Sequence, residues 1–145
     1  MNPLIKKLNK SANRVGCLIL IIVGGYFLFH FLPGFMAYRA QRRLTEAENW
    51  CQVIREALAA YKTNQKDHSY PLNITGWQTL RKIAGSQGAN LPDTASAAKI
   101  KGFRYESANG SDYRLTIDVD LPEDSPLDRF LLVNPNEVTR HNDRP

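Results

Sequence analysis

The feature that most constrains this chain is an apolar run, residues 15–38, that contains no Asp, Glu, Lys or Arg. A helix of roughly 20 apolar residues crosses the hydrocarbon core of a bilayer, and this run is slightly longer. Its one strongly polar side chain is His30, while Lys and Arg side chains flank it on both sides. The sequence therefore predicts a membrane helix over residues 15–38, with the following anchoring side chains: Val15, Leu18, Ile22, Phe27, Leu32 and Pro33.

A cleaved signal peptide is the alternative interpretation of this run, because four basic residues precede it: Lys6, Lys7, Lys10 and Arg14. The run is longer than a typical signal-peptide core, and Pro33-Gly34-Phe35-Met36 lacks the small-x-small pattern of a cleavage site. We therefore expect an uncleaved anchor. The count of flanking charges slightly favours a cytoplasmic N-terminus. This predicts a basic cytoplasmic tail (1–14), the span (15–38), an extracytoplasmic domain (39–140) and a disordered tail (141–145).

Charge and cysteine content narrow the classes of protein. The formal net charge of +5 is concentrated beside the apolar run, and no basic stripe interleaved with aromatic residues occurs elsewhere. Charge of this kind anchors a helix at a membrane and does not predict nucleic-acid binding. Cys17 and Cys51 are about 50 Å apart along a continuous helix, so they do not pair. We expect Cys51 to be a small core residue.

A second apolar pattern follows the run, with steps of four and three residues that match one face of a helix. Its members are Ala40, Leu44, Ala47, Cys51, Ile54, Leu58 and Tyr61. We interpret both patterns as one near-continuous helix that ends near residues 63–65. Trp50, Val53 and Ala57 widen the stripe, which favours packing on the chain's own sheet, although heptad-like spacing is also typical of a coiled-coil partner.

The remaining residues predict a short helix and a small sheet. Thr75-Gly76-Trp77-Gln78 has the form of a capping box, with Gly85 as the predicted stop of the helix and a loop over residues 85–98. Alternation over residues 102–106 and 113–120 around Asn109-Gly110 predicts a β-hairpin, and residues 129–133 predict a third strand. In the second strand the core-facing side chains are Tyr113, Leu115, Ile117 and Val119. The fold class predicted is α+β.

The sequence shows no pattern typical of catalysis. It contains no GxSxG, Walker A, HExxH or GxGxxG motif, and His30, His68 and His141 lack metal-ligand spacing. We therefore predict that the protein is not an enzyme. The one candidate ligand cluster is acidic, and carboxylate oxygens suit Ca²⁺, but a solvated acidic loop is the simpler interpretation. Its members are Asp118, Asp120, Glu123, Asp124 and Asp128.

Three stretches, taken in order, carry a resemblance to a known family: residues 32–38 (LPGFMAY), residues 54–71 and the strand segments around Tyr105 and Tyr113. They resemble the type IV pilins and type II secretion pseudopilins, and residues 32–38 are similar to the proline-bearing segment of that family's helix. Residues 54–62, followed by Asp67-His68-Ser69-Tyr70-Pro71, are similar to the helix end and its Tyr-Pro turn. Tyr105 and Asp112-Tyr113-Arg114-Leu115 resemble the family's tyrosine-bearing strands. The resemblance covers roughly residues 16–134 and implies a helical spine packed on a small antiparallel sheet.

The chain departs from this family at its processing site. When Pro33 is aligned with the family's proline, Ser11 stands where the family has glycine, and Gly16 stands where it has glutamate. The resemblance thus implies an atypical member that lacks the prepilin processing motif. It also implies a structural or accessory subunit of a secretion or pilus-type assembly in the bacterial inner membrane, with the bilayer and other membrane or pilin-like subunits as partners. A Ca²⁺ site in C-terminal loops occurs in major pseudopilins. The alternative function is a membrane-tethered binding or sensor module.

Overall fold

The structure is a computed structural model that describes residues 3–123 and 125–142, with side chains described from residue 16 onward. The fold is α+β, and the chain divides into two compact units, Met1–Tyr38 and Arg39–Pro145. The elements in chain order are α1 (Pro3–Asn64), α2 (Trp77–Ser86), a 3₁₀ turn (Ser96–Ala98), β1 (Ile100–Glu106), β2 (Arg114–Val119), β3 (Phe130–Val133) and β4 (Val138–His141).

Helix α1 ends where the sequence predicts, at Asn64, and begins earlier than predicted. It begins at Pro3, so the segment predicted as a separate basic tail is already helical from that residue. Proline is favoured in the first turn, where its missing N–H is not needed. Pro33 lies inside the helix, and the helix does not end there. The prediction of one helix across both apolar patterns is therefore confirmed.

Helix α2 is present as predicted, but its ends differ from the prediction. Its N-cap is Gly76, which makes no side-chain capping bond, so the Thr75–Gln78 capping box is wrong. Gln78 Nε2 instead donates to the Asp93 carbonyl oxygen at 2.9 Å, a contact with a loop 15 residues away. The helix also continues past Gly85 to Ser86, and the left-handed turn that follows it uses Gly88, at φ +80°.

The four strands form one antiparallel sheet in the order β1-β2-β3-β4. The register places Leu115 opposite Val133 and Ile117 opposite Leu131, so alternate residues of β2 and β3 line one buried face. The hairpin and the third strand were predicted, whereas β4 was not. His141, which the sequence assigned to a disordered tail, is the last residue of β4, while residues 143–145 lie outside the described part of the chain.

One hydrophobic core fills the unit Arg39–Pro145, with members from α1, α2, the sheet and the segments that connect them. Helix α1 contributes its apolar stripe, α2 contributes Leu80 and Ala84, and the sheet contributes its inner face. The largest fully buried side chains of this core are Leu44, Ile54, Leu58, Leu80, Leu91, Ile100, Leu115, Ile117, Leu131, Val119 and Val133. The α1 stripe is thus buried in one core with the inner face of the chain's own sheet, as the sequence favoured.

Polar contacts join α1 to the sheet around this core. Arg140 forms a two-point ion pair with Glu48, through Nε at 2.5 Å and Nη2 at 3.0 Å. Arg43 Nη1 donates to the carbonyl oxygen and the Oδ2 of Asp120, at 3.0 and 3.1 Å. Arg55 Nη1 donates to the carbonyl oxygen of Asn136 at 3.1 Å. These contacts hold one side of α1 against residues 120–140.

Candidate functional site

The predicted anchoring segment exposes its apolar side chains. In the described part of the chain, α1 is the one helix that is long and apolar enough to cross a membrane, judged over its residues from Gly16 onward. Its large side chains from Leu18 to Tyr38 are about half to three-quarters exposed, although such side chains in soluble proteins are mostly buried. Of the predicted anchoring residues, five are exposed and described: Leu18, Ile22, Phe27, Leu32 and Pro33. Val15 lies in α1, but its side chain is outside the described residues.

Aromatic rings in this segment contact one another along the helix. Phe27 and Phe31 are stacked, with ring centroids 4.3 Å apart and planes inclined by 17°. Tyr26 and His30 are also 4.3 Å apart, with planes inclined by 52°. Both pairs are separated by four residues, the spacing at which side chains meet on one helix face. The polar pair and the apolar pair lie on neighbouring faces of the same segment.

The predicted packing residues of α1 lie where the sequence places them, with one exception. Leu44, Ala47, Cys51, Ile54 and Leu58 are all completely buried. Tyr61, which closes the predicted stripe, is only partly buried. The thiol of Cys51 lies in this core, and burial, with the nearby Glu48 carboxylate, raises its pKa far above the ordinary value. Cys51 is therefore a structural residue that stays protonated and unreactive in the folded domain.

The acidic residues predicted as a possible Ca²⁺ site are not assembled into one. Within residues 16–123 and 125–142, no three carboxylate, thiol or imidazole groups are placed to hold a metal ion. Asp120 pairs with Arg43 instead. One carboxylate oxygen of Asp118, Oδ1, is buried and has no hydrogen-bond partner among the described residues. Glu123 and Asp128 join no such group, and Asp124 lies outside the described residues. The structure thus gives no support to a calcium centre.

The structure shows a tyrosine cluster that the sequence did not predict. The ring of Tyr113 meets Tyr70 edge to face at 4.8 Å and stacks on Tyr105 at 5.7 Å. Lys62 Nζ lies 4.5 Å from the centroid of Tyr70, a cation–π contact. Tyr105 Oη donates to the Pro71 carbonyl oxygen at 2.7 Å. The cluster joins the end of α1, the Tyr-Pro segment and the hairpin, which are far apart in sequence.

Burial changes the acidity of these phenols. It raises the pKa of Tyr105 to about 12, and it raises the pKa of Tyr70 and Tyr113 as well, with neighbouring acidic groups adding to the effect. Tyr113 Oη is buried and has no hydrogen-bond partner in the described residues. These phenols stay neutral near pH 7, so the cluster is a packing element and does not supply a base.

Comparison with protein-family models, curated proteins and solved structures gives no match to this chain. Its class therefore rests on its own features. It is an α+β protein with one candidate membrane helix near the N-terminus and a four-stranded antiparallel sheet. The surfaces that stand out for function are the exposed apolar segment, residues 16–38, and the polar face of α1 beyond it.

Proposed function

We propose that the protein is a single-pass membrane protein whose domain, residues 39–140, acts as a structural or accessory subunit of a secretion or pilus-type assembly. The observation that carries the membrane part is the exposure of residues 16–38. Exposed apolar surface of this extent is unfavourable in water and favourable in lipid. The segment is helical throughout, so its backbone N–H groups are hydrogen-bonded to C=O groups within the helix, as the interior of a bilayer requires.

The resemblance to pilins and pseudopilins supports the assembly role. It implies a helix with a proline in its apolar part, an amphipathic continuation and a small antiparallel sheet. The chain has a helix with Pro33 inside it, a buried stripe from Ala40 to Leu58 and a four-stranded antiparallel sheet. The Tyr70-Pro71 segment contacts the sheet through Tyr105 and Tyr113. The proposed subunit lacks catalysis and works through its span and the polar face of α1.

Membrane attachment is tested by charge substitution in the full chain. Ile22→Lys combined with Phe27→Lys places two charges in the middle of the proposed span. Each charge raises the free energy of inserting the helix into the membrane by about 3 kcal/mol. We expect this variant to leave the membrane fraction that survives an alkaline carbonate wash. Leu72→Lys is the matched control, because Leu72 is 65% exposed in the other unit, and it should stay with the membrane. Equal fractionation of both variants would contradict the anchor.

Orientation and processing need separate measurements. We place the N-terminus in the cytoplasm and the domain outside the inner membrane of a bacterium. A reporter fused after Pro145 should then be active only outside the cytoplasm, and cytoplasmic activity would reverse the orientation. Mass spectrometry of the native N-terminus distinguishes a permanent anchor, which keeps residues 3–15, from a filament subunit, which starts at an internal methylated residue.

The partners of the protein distinguish the assembly role from the alternative function, a membrane-tethered binding or sensor module. Crosslinking in native membranes, followed by mass spectrometry, should recover components of a secretion or pilus machine. A chain that stays monomeric in its membrane and binds a soluble ligand through residues 39–145 would instead be a tethered binding module. If crosslinking recovers neither secretion components nor pilus components, the assembly role is contradicted, but the membrane anchor is not.

A further inference from the structure

Two polar aromatic side chains share one stripe of the apolar segment. The stripe follows steps of four and three residues, so its members lie on one face of the helix. We call it the histidine stripe, and it consists of Ile19, Val23, Tyr26, His30, Pro33 and Ala37. Tyr26 and His30 lie at its centre with their rings in contact. The opposite face carries apolar side chains, among them Ile21 and Leu28, which are 73% and 60% exposed.

The polar atoms of this pair have no partner within the described part of the chain. No hydrogen bond joins Tyr26 Oη or His30 to a described residue, and both side chains are exposed. In lipid, water is not available to satisfy an imidazole and a phenol near the middle of a span. Polar groups at this depth face another helix or a polar cavity, where they find partners. The centre of the stripe is therefore poorly matched to lipid and well matched to polar groups of another helix, whereas its other members are apolar.

We propose that the histidine stripe binds the same stripe of a second copy of this chain, forming a parallel helix pair in the membrane. Tyr26 Oη of each copy donates to an imidazole nitrogen of His30 in the other copy. A two-fold arrangement makes the two bonds together, because each copy offers both the donor and the acceptor. The two residues are one helical turn apart, about 6 Å along the axis, a distance that a tyrosine side chain covers.

The neighbouring residues favour this occupant. Ala37 has a small side chain, and Gly34, which has none, lies beside Pro33 of the stripe, so two backbones can approach closely at this end. A different helix would need its own polar groups at the same depth. A second copy of this chain carries Tyr26 and His30 at that depth because its sequence is the same. The pairing rests on the proposed function only in requiring that residues 16–38 lie in a membrane.

The test is disulfide crosslinking of the full chain in membranes. Two differently tagged copies are co-expressed with Cys17→Ser, which leaves only the buried Cys51. Val23→Cys then places a thiol on the histidine stripe, and Ile21→Cys places a matched thiol on the opposite face at nearly the same depth. With a mild oxidant, we expect a product that carries both tags from Val23→Cys and at least tenfold less from Ile21→Cys.

A second substitution tests the role of the polar pair. His30→Leu in the Val23→Cys background removes both reciprocal bonds, and we expect the crosslinked fraction to fall about tenfold. His30→Gln, which retains an acceptor, should restore most of it. Equal crosslinking from both faces, no product with two tags, or no effect of His30→Leu would each overturn the pairing.

These outcomes are distinguishable from a failure of the membrane anchor. Chains that remain in the carbonate-washed membrane fraction but do not crosslink overturn the pairing and leave the anchor standing. Chains found in the soluble fraction overturn both. A product in which Val23→Cys joins a different membrane protein instead of a second copy overturns the choice of occupant.

Discussion

Gly110 in the turn between β1 and β2 is held in a conformation that suits glycine. Its φ is +72°, and a Cβ built there would lie 2.8 Å from Ser69 Cβ and 3.2 Å from the Tyr70 carbonyl oxygen. Its own carbonyl oxygen accepts a hydrogen bond from the Tyr70 backbone N–H at 2.7 Å. The turn is therefore pressed against the Tyr-Pro segment, and glycine is required both by the backbone and by the contact.

Gly110→Ala should destabilise the domain by about 2–3 kcal/mol, because the left-handed backbone and the close contact are both penalised. Gly88→Ala is the matched control. Gly88 has φ +80° but no atom within 4 Å of an added Cβ, so only the backbone cost of about 1 kcal/mol applies. Urea unfolding of the full chain in detergent, followed by tryptophan fluorescence, measures both. Equal losses would show that the contact with Ser69 is unimportant.

Two hydroxyls of the tyrosine cluster, those of Tyr105 and Tyr113, should respond differently to removal. Tyr105→Phe loses the bond to the Pro71 carbonyl oxygen and should cost about 1 kcal/mol. Tyr113→Phe removes a buried hydroxyl that has no partner among the described residues, so the free energy of unfolding should stay the same or rise by up to about 1 kcal/mol. The same urea experiment decides, and a larger loss for Tyr113→Phe would reveal a bonding partner, such as bound water.

The raised pKa of these phenols also predicts loss of stability in alkali. A phenol whose pKa rises on folding favours the folded state while it is neutral. This stabilisation is complete below pH 10 and is lost as the pH rises from about 10 toward 12, the pKa of Tyr105. The free energy of unfolding should therefore fall across that range, and it should fall less steeply in Tyr105→Phe. A pH-independent difference between the two proteins would contradict the raised pKa.

At the scale of elements, the long helix is the part that sequence determines most directly. Its buried positions repeat with the helical period, and Leu44, Ile54 and Leu58 are all completely buried as that period predicts. Strands β1 and β2, which form the predicted hairpin, follow from alternation in the same way. Each of these patterns is local, since it needs only residues that are near one another in the chain.

Leu58→Ala measures how much a buried side chain of α1 contributes to the core of the domain. Leu58 is fully buried in the core of the domain, and we expect the free energy of unfolding to fall by about 2–5 kcal/mol. Leu72→Ala removes the same atoms from a side chain that is 65% exposed, and its effect should stay within about 0.5 kcal/mol. Chemical denaturation of both variants provides the comparison, and similar effects would contradict the observed packing.

The elements that the sequence did not predict depend on contacts between distant residues. Strand β4 is short and polar, and it is a strand because Val138 and His141 lie opposite Val133 and Phe130 of β3. The capping box failed because Gln78 contacts the Asp93 carbonyl oxygen instead of the start of its own helix. The tyrosine cluster was missed for the same reason, since its members come from separate parts of the chain. Patterns among neighbouring residues in the sequence do not reveal such contacts.

At the scale of the whole molecule, the candidate surfaces were easier to predict than their use. The candidate span follows from composition, because an uncharged apolar run of this length is typical of a membrane helix. The acidic residues show the limit of composition. Five carboxylates near one another in sequence offered a candidate Ca²⁺ cluster beside the simpler interpretation of a solvated loop. Asp120 is paired with Arg43, and the residue types alone do not reveal that pairing.

The unit Arg39–Pro145 contains a complete core, so it should fold without residues 1–38. We expect a fragment of residues 39–145 to be monomeric in solution, with a cooperative thermal transition. Trp50 and Trp77 both pack against this core, so tryptophan emission of the fragment should match that of the full chain. An emission maximum typical of exposed tryptophan would contradict an independent core.

The order of the strands in the sheet bears on how the domain is built during synthesis. Strands β1 to β4 pair strictly in chain order, so each new strand can dock on the one made just before it. The amphipathic part of α1 precedes them all and offers its apolar side as soon as the first hairpin closes. A chain that emerges gradually during synthesis can therefore complete this domain stepwise, without holding an early strand open for a late partner.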